Sequence, residues 1–591
     1  MRDAVKRTGA LAIWALAAAA IVFAAGARVT FAAPQKPAES SPSAIISRLP
    51  ANVRLYVHWH GTKSLITDQN KAALIHFWSD PQFAPMRRTM IAQILKQSAS
   101  KTSPETVEER ISLATSLLEN EAIAGLVPPT AQKNAGGASK NLFAVYDATG
   151  KAEQMNKAEQ LFASKETPAG KKSSYMFGDA KIETVERPEG TDFNAQVGNY
   201  YINAEKKEIV EDLVTRFGTK APASKLADDA VWKAASQNFV PGALLDAFVR
   251  FSPKDFEAFG YNERFDAVKF ADALHWERLH SWTISVGYAD KAGRARAVVL
   301  GDTSPGSLFD IAGDSVPSFA TQPLAREDAS YLVSRINIQA LFKILAGPVV
   351  DSLSAKQSAD VKNGETLAGA FLGLPLPDVF ALFGGEMAGI THPPSDPSNS
   401  DLYAFAIGNR EGLLKLLHKV IASFIRGEQP DGDATLLEIA TPYTDPLTKQ
   451  QQTKIFYLAL TPQMAIFAKK KEAIDDALAR LHGGADSQAG ALTGNADFQR
   501  ARALLPANLS GFSFMQWNQE TLQRYFAAAA GIMAQAKAIE KSAPKQGASA
   551  LPENPDWLKS ANLDALTQLI HFQASGWWKT ADGVYLDFYL Q

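Results

Sequence analysis

The chain has 591 residues, of which 46 % are apolar and 21 % charged, and its formal net charge is −2. A chain of this length is expected to build more than one hydrophobic core. A net charge near zero provides no general attraction for nucleic acid or for an anionic membrane surface, so we expect neither as a partner. The absence of cysteine excludes disulfides, thiolate metal sites and cysteine nucleophiles.

The first 32 residues have the pattern of a targeting segment. A basic start, "MRDAVKR", precedes a long alanine-rich apolar run, and "TFA" before Ala33 is an acceptable cleavage site. We predict that residues 1–32 are a signal peptide and that residues 33–44 form a flexible spacer. The alternative is an uncleaved anchor, since the run approaches the length of about 18 residues that spans a bilayer. The expected location is the periplasm or cell envelope of a bacterium, with membrane contact only through such an anchor.

Several segments recur in the same order along the chain. Four of the five correspondences are separated by 260 to 265 positions, and the last, between residues 281–301 and 571–591, by 290. The matched pairs include "ENEAIAGLVPP" with "GGEMAGITHPP", "NLFAVYD" with "DLYAFAI", and "KKEIVEDLVTRF" with "KKEAIDDALARL". The ordered set predicts an internal duplication. The first half covers residues 45–301, a linker residues 302–321, and the second half residues 322–591.

The local patterns mix strands with helices in each half. Residues 106–120 and 520–542 have helical periodicity, whereas "GVYLDFYL" near the end of the chain alternates as a sheet strand does. The turns "DKAG" and "TADG" occupy matching places as hairpin loops. We therefore predict an α+β fold with two similar halves, each a mainly antiparallel sheet with helices packed on it.

Three short motifs carry a family resemblance: "LPAN" (49–52), "GGEMAGI" (384–390) and "AIFAKKKEAIDDAL" (465–478). In these motifs the chain resembles a bacterial family of exported proteins that is classed as a domain of unknown function. The first half departs from the family pattern, because it reads "ENEAIAG" where two glycines are expected. The resemblance implies export, and it implies no catalytic residue.

His58 and His60 lie two positions apart in a predicted strand, so their side chains share one face. Together with a third ligand they could bind zinc. Aligning this strand with those that begin near Phe239 and Leu504 places apolar or aromatic residues opposite the histidines: Phe251 and Trp517 opposite His60, and Val249 or Phe514 opposite His58. The alignment favours a packing or groove-lining role for both histidines. The sequence identifies no catalytic or cofactor-binding residue and implies no cofactor.

Other candidate residues have simpler interpretations. Glu121 and Glu386 recur at the start of matched strands, and we expect solvated positions at a strand edge for both. His275 and His280, with Glu277 between them, are expected on the surface. The tryptophans near the two last hairpins either pack in the core or line a groove between the halves; they are Trp276, Trp282, Trp577 and Trp578.

These observations favour an exported cell-envelope protein that binds an unknown ligand or envelope protein without catalysis, in a groove between the halves. Whether the protein is an enzyme is left open. The alternative function is a metal-dependent or acid–base hydrolase that uses the His58/His60 strand face. A third interpretation is a passive structural protein that an uncleaved anchor holds near the membrane.

Overall fold

The computed structural model confirms the α+β class with a large antiparallel sheet. It describes residues 43–62, 116–128, 141–151, 171–187, 190–218, 224–252, 265–289, 292–313, 316–393, 401–444, 450–483, 490–523 and 570–591, together with a few shorter pieces. The predicted signal peptide, most of the predicted spacer, and most residues of the helices predicted at 106–120 and 520–542 lie outside the described residues.

Within the described residues, the first half contributes ten strands to the sheet. They are β1 (Leu55–Trp59), β2 (Ala122–Leu126), β3 (Leu142–Asp147), β4 (Lys171–Phe177), β5 (Ala180–Arg187), β6 (Gly190–Val197), β7 (Tyr200–Ala204), β8 (Ala243–Arg250), β11 (Leu279–Ala289) and β12 (Ala292–Gly301). Between β8 and β11 the chain forms a separate two-stranded sheet from β9 (Tyr261–Asn262) and β10 (Phe265–Asp266). The ten strands pair antiparallel in the order β4-β5-β6-β7-β3-β2-β1-β8-β11-β12.

The described part of the second half also contributes ten strands. They are β13 (Ser330–Arg335), β14 (Phe383–Thr391), β15 (Leu402–Ile407), β16 (Ile425–Asp431), β17 (Ala434–Thr444), β18 (Gln451–Leu460), β19 (Met464–Ala468), β20 (Gly511–Gln516), β21 (Phe572–Thr580) and β22 (Gly583–Leu590). Their antiparallel order is β16-β17-β18-β19-β15-β14-β13-β20-β21-β22, the order of the first half strand for strand.

The two series meet where β12 pairs antiparallel with β22. The halves therefore share one sheet and join edge to edge. The register of this pairing places Arg296 opposite Asp587. Within the first half Arg296 lies opposite Ser285 of β11, and within the second half Asp587 lies opposite Gly576 of β21. The last hairpins are thus matched at a separation of 291 positions, one more than the sequence comparison indicates.

Most helices of the described chain begin at a residue whose side chain accepts a backbone hydrogen bond. Asp229 accepts from the amide of Trp232, and Asn495 accepts from that of Phe498 at the equivalent place in the second half, which satisfies amides that the first helical turn leaves unpaired. The helices are α1 (Lys207–Gly218), α2 (Ala230–Ser236), α3 (Ala267–Ala273), α4 (Ile338–Ile344), α5 (Ala355–Leu372), α6 (Leu376–Ala381), α7 (Arg410–Ile421), α8 (Lys471–His482) and α9 (Ala496–Ala503).

The main core lies between one face of the sheet and four of these helices. In the first half α1 packs on β6 and β7 and α2 on β11, while in the second half α8 packs on β18 and β19 and α9 on β20 and β21. The strand residues that point to this face are buried and apolar along most of the sheet. Their burial supplies the principal stabilisation of the fold.

The opposite face of the sheet is less completely covered. A smaller apolar cluster forms where α7 packs against β15 and β17. Elsewhere in the described strands this face leaves seven large apolar side chains more than a third exposed: Leu55, Met176, Trp282, Leu332, Tyr403, Phe405 and Leu586. None of the helices in the described part of the chain has the length and apolar character that crossing a membrane requires.

The strand order corrects one sequence-based alignment. The four letters "LPAN" occur at 49–52, just before β1, and again at 505–508, just before β20. In the strand order, however, β20 occupies the place of β8 rather than that of β1. In the strand order β13 takes the place of β1, and its sequence "SYLVSR" contains no histidine. Local motif similarity misled the alignment, because strand position is set by pairing partners distant along the chain.

Candidate functional site

A row of directly opposed residues crosses the middle of the sheet on its core-facing side. In the order in which the strands pair, it contains His58 on β1, Asp246 on β8, Ser285 on β11, Arg296 on β12 and Asp587 on β22. Directly opposed residues of antiparallel strands point to the same face, so each of these five side chains lies beside the next one in the row. All but Arg296 are nearly inaccessible to solvent. We call residues His58, His60, Glu121, Asp246 and Ser285 the first-half polar cluster.

His58 is held by a carboxylate. Its Nε2 lies 2.8 Å from Oε1 of Glu121, the residue that immediately precedes β2. Tyr56, two positions earlier on the same face of β1, packs edge-on against the imidazole ring at 6.4 Å between ring centroids. The hydroxyl of Tyr56 in turn accepts a hydrogen bond of 3.0 Å from Nε1 of Trp232 on α2. Strand β1 and helix α2 therefore fix the position of the His58 ring.

His60 and Ser285 both contact Asp246. Nε2 of His60 lies 2.6 Å from Oδ2 of Asp246, and the Ser285 hydroxyl donates a 2.5 Å hydrogen bond to Oδ1. The Ser285 oxygen also accepts from the backbone amide of Val240. His60 follows the last residue of β1, and its amide still bonds to Leu244 of β8. The two imidazole rings lie 4.0 Å apart between centroids.

The environment favours a neutral His58 beside an ionised Glu121. Burial, and then the neighbouring His60, lowers the pKa of His58 below its ordinary value. Burial by itself would raise the pKa of Glu121, but the hydrogen bond and charge of His58 and a hydrogen bond from Ser43 outweigh it, so the pKa of Glu121 is lowered. An ionised carboxylate only accepts hydrogen bonds, so the His58 proton resides on Nε2 and the other ring nitrogen carries a lone pair.

Three members of the cluster could hold a metal ion. One ligand atom each from His58, His60 and Asp246 lies within 4.8 Å of the other two. Two imidazoles and a carboxylate form a donor set that zinc and related transition metals accept. The Ser285 hydroxyl, by contrast, donates to a carboxylate rather than to an imidazole, and in this arrangement it is not activated as a nucleophile.

The equivalent row of the second half is apolar. Following the registers outward from Arg296 and Asp587, Gly576 replaces Ser285, Phe512 replaces Asp246 and Val333 replaces His58. Arg335, opposite Glu386, stands in the place of His60. The sequence alignment that set Phe251 and Trp517 opposite His60 therefore differs from the strand register. The residue in the place of His58 is apolar, whereas the residue in the place of His60 is the charged Arg335.

The sequence led us to expect Glu121 and Glu386 at solvated positions on a strand edge, and the structure contradicts this. Glu386 is buried and accepts hydrogen bonds from the amide and hydroxyl of Ser318, at 2.7 and 3.0 Å. The side chain of Glu121 is only 19 % exposed, and Ser43 bonds to it from the equivalent place in the first half. Both glutamates thus attach the segment preceding their half to the sheet. In the first half, Glu121 also binds His58.

Sequence reasoning overlooked Asp246 and Ser285. The signal for Asp246 was present, because "ALLDAFV" is an apolar run interrupted only by an aspartate, which lies on the buried face of the strand. A buried carboxylate requires a partner, so its position in such a strand indicates a polar network. The identity of the partners depends on strand pairing, which joins residues 186 and 39 positions apart.

The remaining candidates lie apart from the cluster. His275 bonds to Glu277 at 3.0 Å on the surface, as expected. The tryptophans do not share one groove. Trp578 is buried on the core face, stacked on Tyr585, whereas Trp282 is exposed on the opposite face of the sheet.

Fold and site together define an α+β protein with a continuous antiparallel sheet and a buried polar cluster in its first half. Comparisons with models of known families, with curated proteins and with solved structures find no match for the chain.

Proposed function

We propose that the protein is an exported cell-envelope protein that binds a small ligand through the first-half polar cluster. The observation that carries this proposal is the difference between the halves at equivalent positions. His58 and Asp246 correspond to Val333 and Phe512, although the two halves have the same strand order. A sheet that folds with Val333 and Phe512 at these two places has no structural need for a buried histidine and a buried aspartate there, and polar groups are costly to bury.

Access to the cluster supports binding of a small ligand. The His60 side chain is 29 % exposed, whereas those of His58 and Asp246 are 2 % and 4 % exposed. A ligand that approaches from solvent therefore meets His60 first and ends beside Asp246. The depth of the site favours an ion or a compact polar group over a large molecule.

The proposal also covers the internal duplication of the chain and its export. The identical strand orders and the paired Ser–Glu contacts support descent of the two halves from one duplicated ancestor. Export rests on the signal-peptide pattern of residues 1–32 and on the resemblance of "LPAN" and the other quoted motifs to an exported family. Mass spectrometry of the protein secreted by its own host should give an amino terminus at Ala33. A chain that retains residues 1–32 would support the uncleaved anchor.

Native mass spectrometry of the full mature chain, purified from its own envelope without chelators, tests binding. We expect a mass excess over the apo chain that is present in the wild type and absent in Asp246→Asn. At the surface, His482 forms a hydrogen bond with Asp433. The variant His482→Gln is therefore a matched control, and it should keep the mass excess. An equal mass excess over the apo chain in the wild type and in Asp246→Asn would contradict the proposal.

A metal-dependent or acid–base hydrolase is the second candidate. The observation that favours it is the Glu121–His58 pair, because a carboxylate that fixes the tautomer of an imidazole is a common part of general-base catalysis. Hydrolysis of simple esters or phosphoesters that is lost in both His58→Gln and Glu121→Gln would support this candidate. Wild-type rates equal to those of the two variants would exclude it.

A further inference from the structure

We infer that the ligand of the first-half polar cluster is a divalent transition-metal ion, coordinated by His58, His60 and Asp246. This inference rests on the proposed binding function and names the class of ligand. The three residues come from β1, the position just after β1, and β8, which the sheet holds side by side. Backbone pairing on both sides of β1 therefore positions the donors before any ion is bound.

The geometry is close to that of a coordination shell. Zinc binds imidazole nitrogen and carboxylate oxygen at about 2.0–2.1 Å, so the ligand atoms of a tetrahedral site lie about 3.3 Å apart. The three ligand atoms here lie within 4.8 Å of one another, and Nε2 of His60 is 2.6 Å from Oδ2 of Asp246. Rotation of the half-exposed His60 side chain would let an ion replace the proton between these two atoms.

Glu121 and Ser285 fit the outer shell of such a site. Metal-binding histidines usually donate their second ring N–H to a carboxylate, which orients the ring and increases its basicity. Glu121 accepts from Nε2 of His58 and leaves the other nitrogen with its lone pair free to bind. Ser285 donates to Oδ1 of Asp246, so the aspartate keeps Oδ2 for the ion.

The charge and donor types select the class of ion. Asp246 and Glu121 bring two carboxylates into a poorly solvated site, and a divalent cation is the kind of partner that such a pair accommodates. Two imidazole donors favour zinc, copper or nickel over magnesium and calcium, which bind mainly oxygen. The chain has no cysteine, so thiolates do not compete for the ion.

The experiment is a calorimetric titration of the mature full chain, stripped with a chelator and dialysed, with zinc chloride. We expect one equivalent bound by the wild type. Asp246→Asn and His60→Gln should each weaken binding by more than about 100-fold, beyond the roughly 10- to 100-fold loss expected for an outer-shell change such as Glu121→Gln. The surface control His482→Gln should bind as the wild type does. Substitution with cobalt should give an absorption spectrum typical of nitrogen and oxygen ligands, which the Asp246→Asn chain lacks.

Circular dichroism establishes whether each variant is folded. If Asp246→Asn unfolds, zinc binding by His60→Gln, a substitution at a more exposed side chain, and the number of zinc ions bound by the wild type test the inference instead. Failure of the wild type to bind zinc, copper or nickel near one equivalent, or equal binding by folded ligand variants, would overturn the metal inference. An organic mass excess that Asp246→Asn loses would overturn it too, yet leave the proposed binding function intact. Absence of any mass excess together with absence of metal binding would overturn both.

Discussion

Arg296 and Asp587 lie directly opposite each other where the two halves join. Nε and Nη2 of Arg296 are each 2.6 Å from an oxygen of Asp587, and Arg294 adds a third contact at 2.7 Å. The two residues occupy equivalent places in their halves. Pairing two first halves in this way would set Arg against Arg, and two second halves Asp against Asp. Unlike charges at equivalent positions therefore favour pairing of a first half with a second half over pairing of like halves.

Removing the charge of Asp587 should destabilise the protein strongly. The Asp587→Asn chain keeps Arg294 and Arg296 near a carboxamide that cannot neutralise them, and breaking a buried ion pair typically costs about 3–5 kcal/mol. Urea unfolding followed by circular dichroism measures the loss. The control is Glu183→Gln in the exposed Lys181–Glu183 pair, for which we expect a change of less than about 1 kcal/mol. Similar midpoints for the two variants would show that the central ion pair contributes little.

Acid should remove the same contribution. Burial by itself would raise the pKa of Asp587, but the hydrogen bonds and charges of Arg296 and Arg294 outweigh it, so the pKa lies below its ordinary value. The folded state thus binds this proton less tightly than the unfolded state. The stabilisation is complete above the unfolded pKa of about 3.9 and is lost as the pH falls through the folded value. The difference in urea midpoint between the wild type and Asp587→Asn should be constant near pH 6 and shrink below about pH 4. A difference that grows on acidification would contradict this sign.

Gly583 permits the close approach of the two halves at their junction. A Cβ at this position would meet the carbonyl oxygen of Val299 on β12, which is backbone and cannot move aside. We expect Gly583→Ala to lower the free energy of unfolding by about 1–3 kcal/mol through overpacking. The matched substitution Gly364→Ala lies in α5, where a Cβ meets nothing, and it should stabilise the chain by about 0.5–1 kcal/mol. Thermal unfolding of both variants measures the opposite signs. Equal shifts in the same direction would refute the steric argument.

Tyr56 and Tyr331 occupy equivalent places and offer a comparison within one chain. Tyr56→Phe removes the hydroxyl that accepts from the buried Nε1–H of Trp232, and an unsatisfied buried donor costs about 1–3 kcal/mol. Tyr331→Phe removes a 2.9 Å contact with the Thr321 hydroxyl, which can rotate to another partner. We therefore expect the larger loss of stability in Tyr56→Phe, measured by urea unfolding. A larger loss in Tyr331→Phe would show that the Trp232 indole finds another acceptor.

Much of the architecture could be predicted from residue patterns. Alternation in "GVYLDFYL" predicted the strand that the structure shows as β22, and "TADG" predicted the hairpin between β21 and β22. The recurring segments led us to predict two similar halves, and the strands follow the same order in both. These features depend on neighbours in sequence, since period-two alternation and turn residues act within a few positions. The errors arose in β1, where the similar "LPAN" segments suggested the wrong partner strand.

The candidate site was only half visible in the sequence. His58 and His60 could be identified because two histidines on one strand face are uncommon, and Glu121 because it recurs as Glu386. Their relationship could not be predicted, since Glu121 is 63 positions from His58 and Asp246 is 186 positions from His60. Nothing in a single sequence states the register in which three distant strands pair.

The sequence by itself determined the composition, the absence of thiol chemistry, the strand and helix periodicities and the repetition of segments, because each of these is a local property of the chain. Only the tertiary structure decided which strands are neighbours. That pairing placed Asp246 between His58 and Ser285 and brought Arg296 opposite Asp587. The physical reason is that hydrogen bonds between strands and burial of a common face act across hundreds of positions, and they convert scattered polar residues into one site.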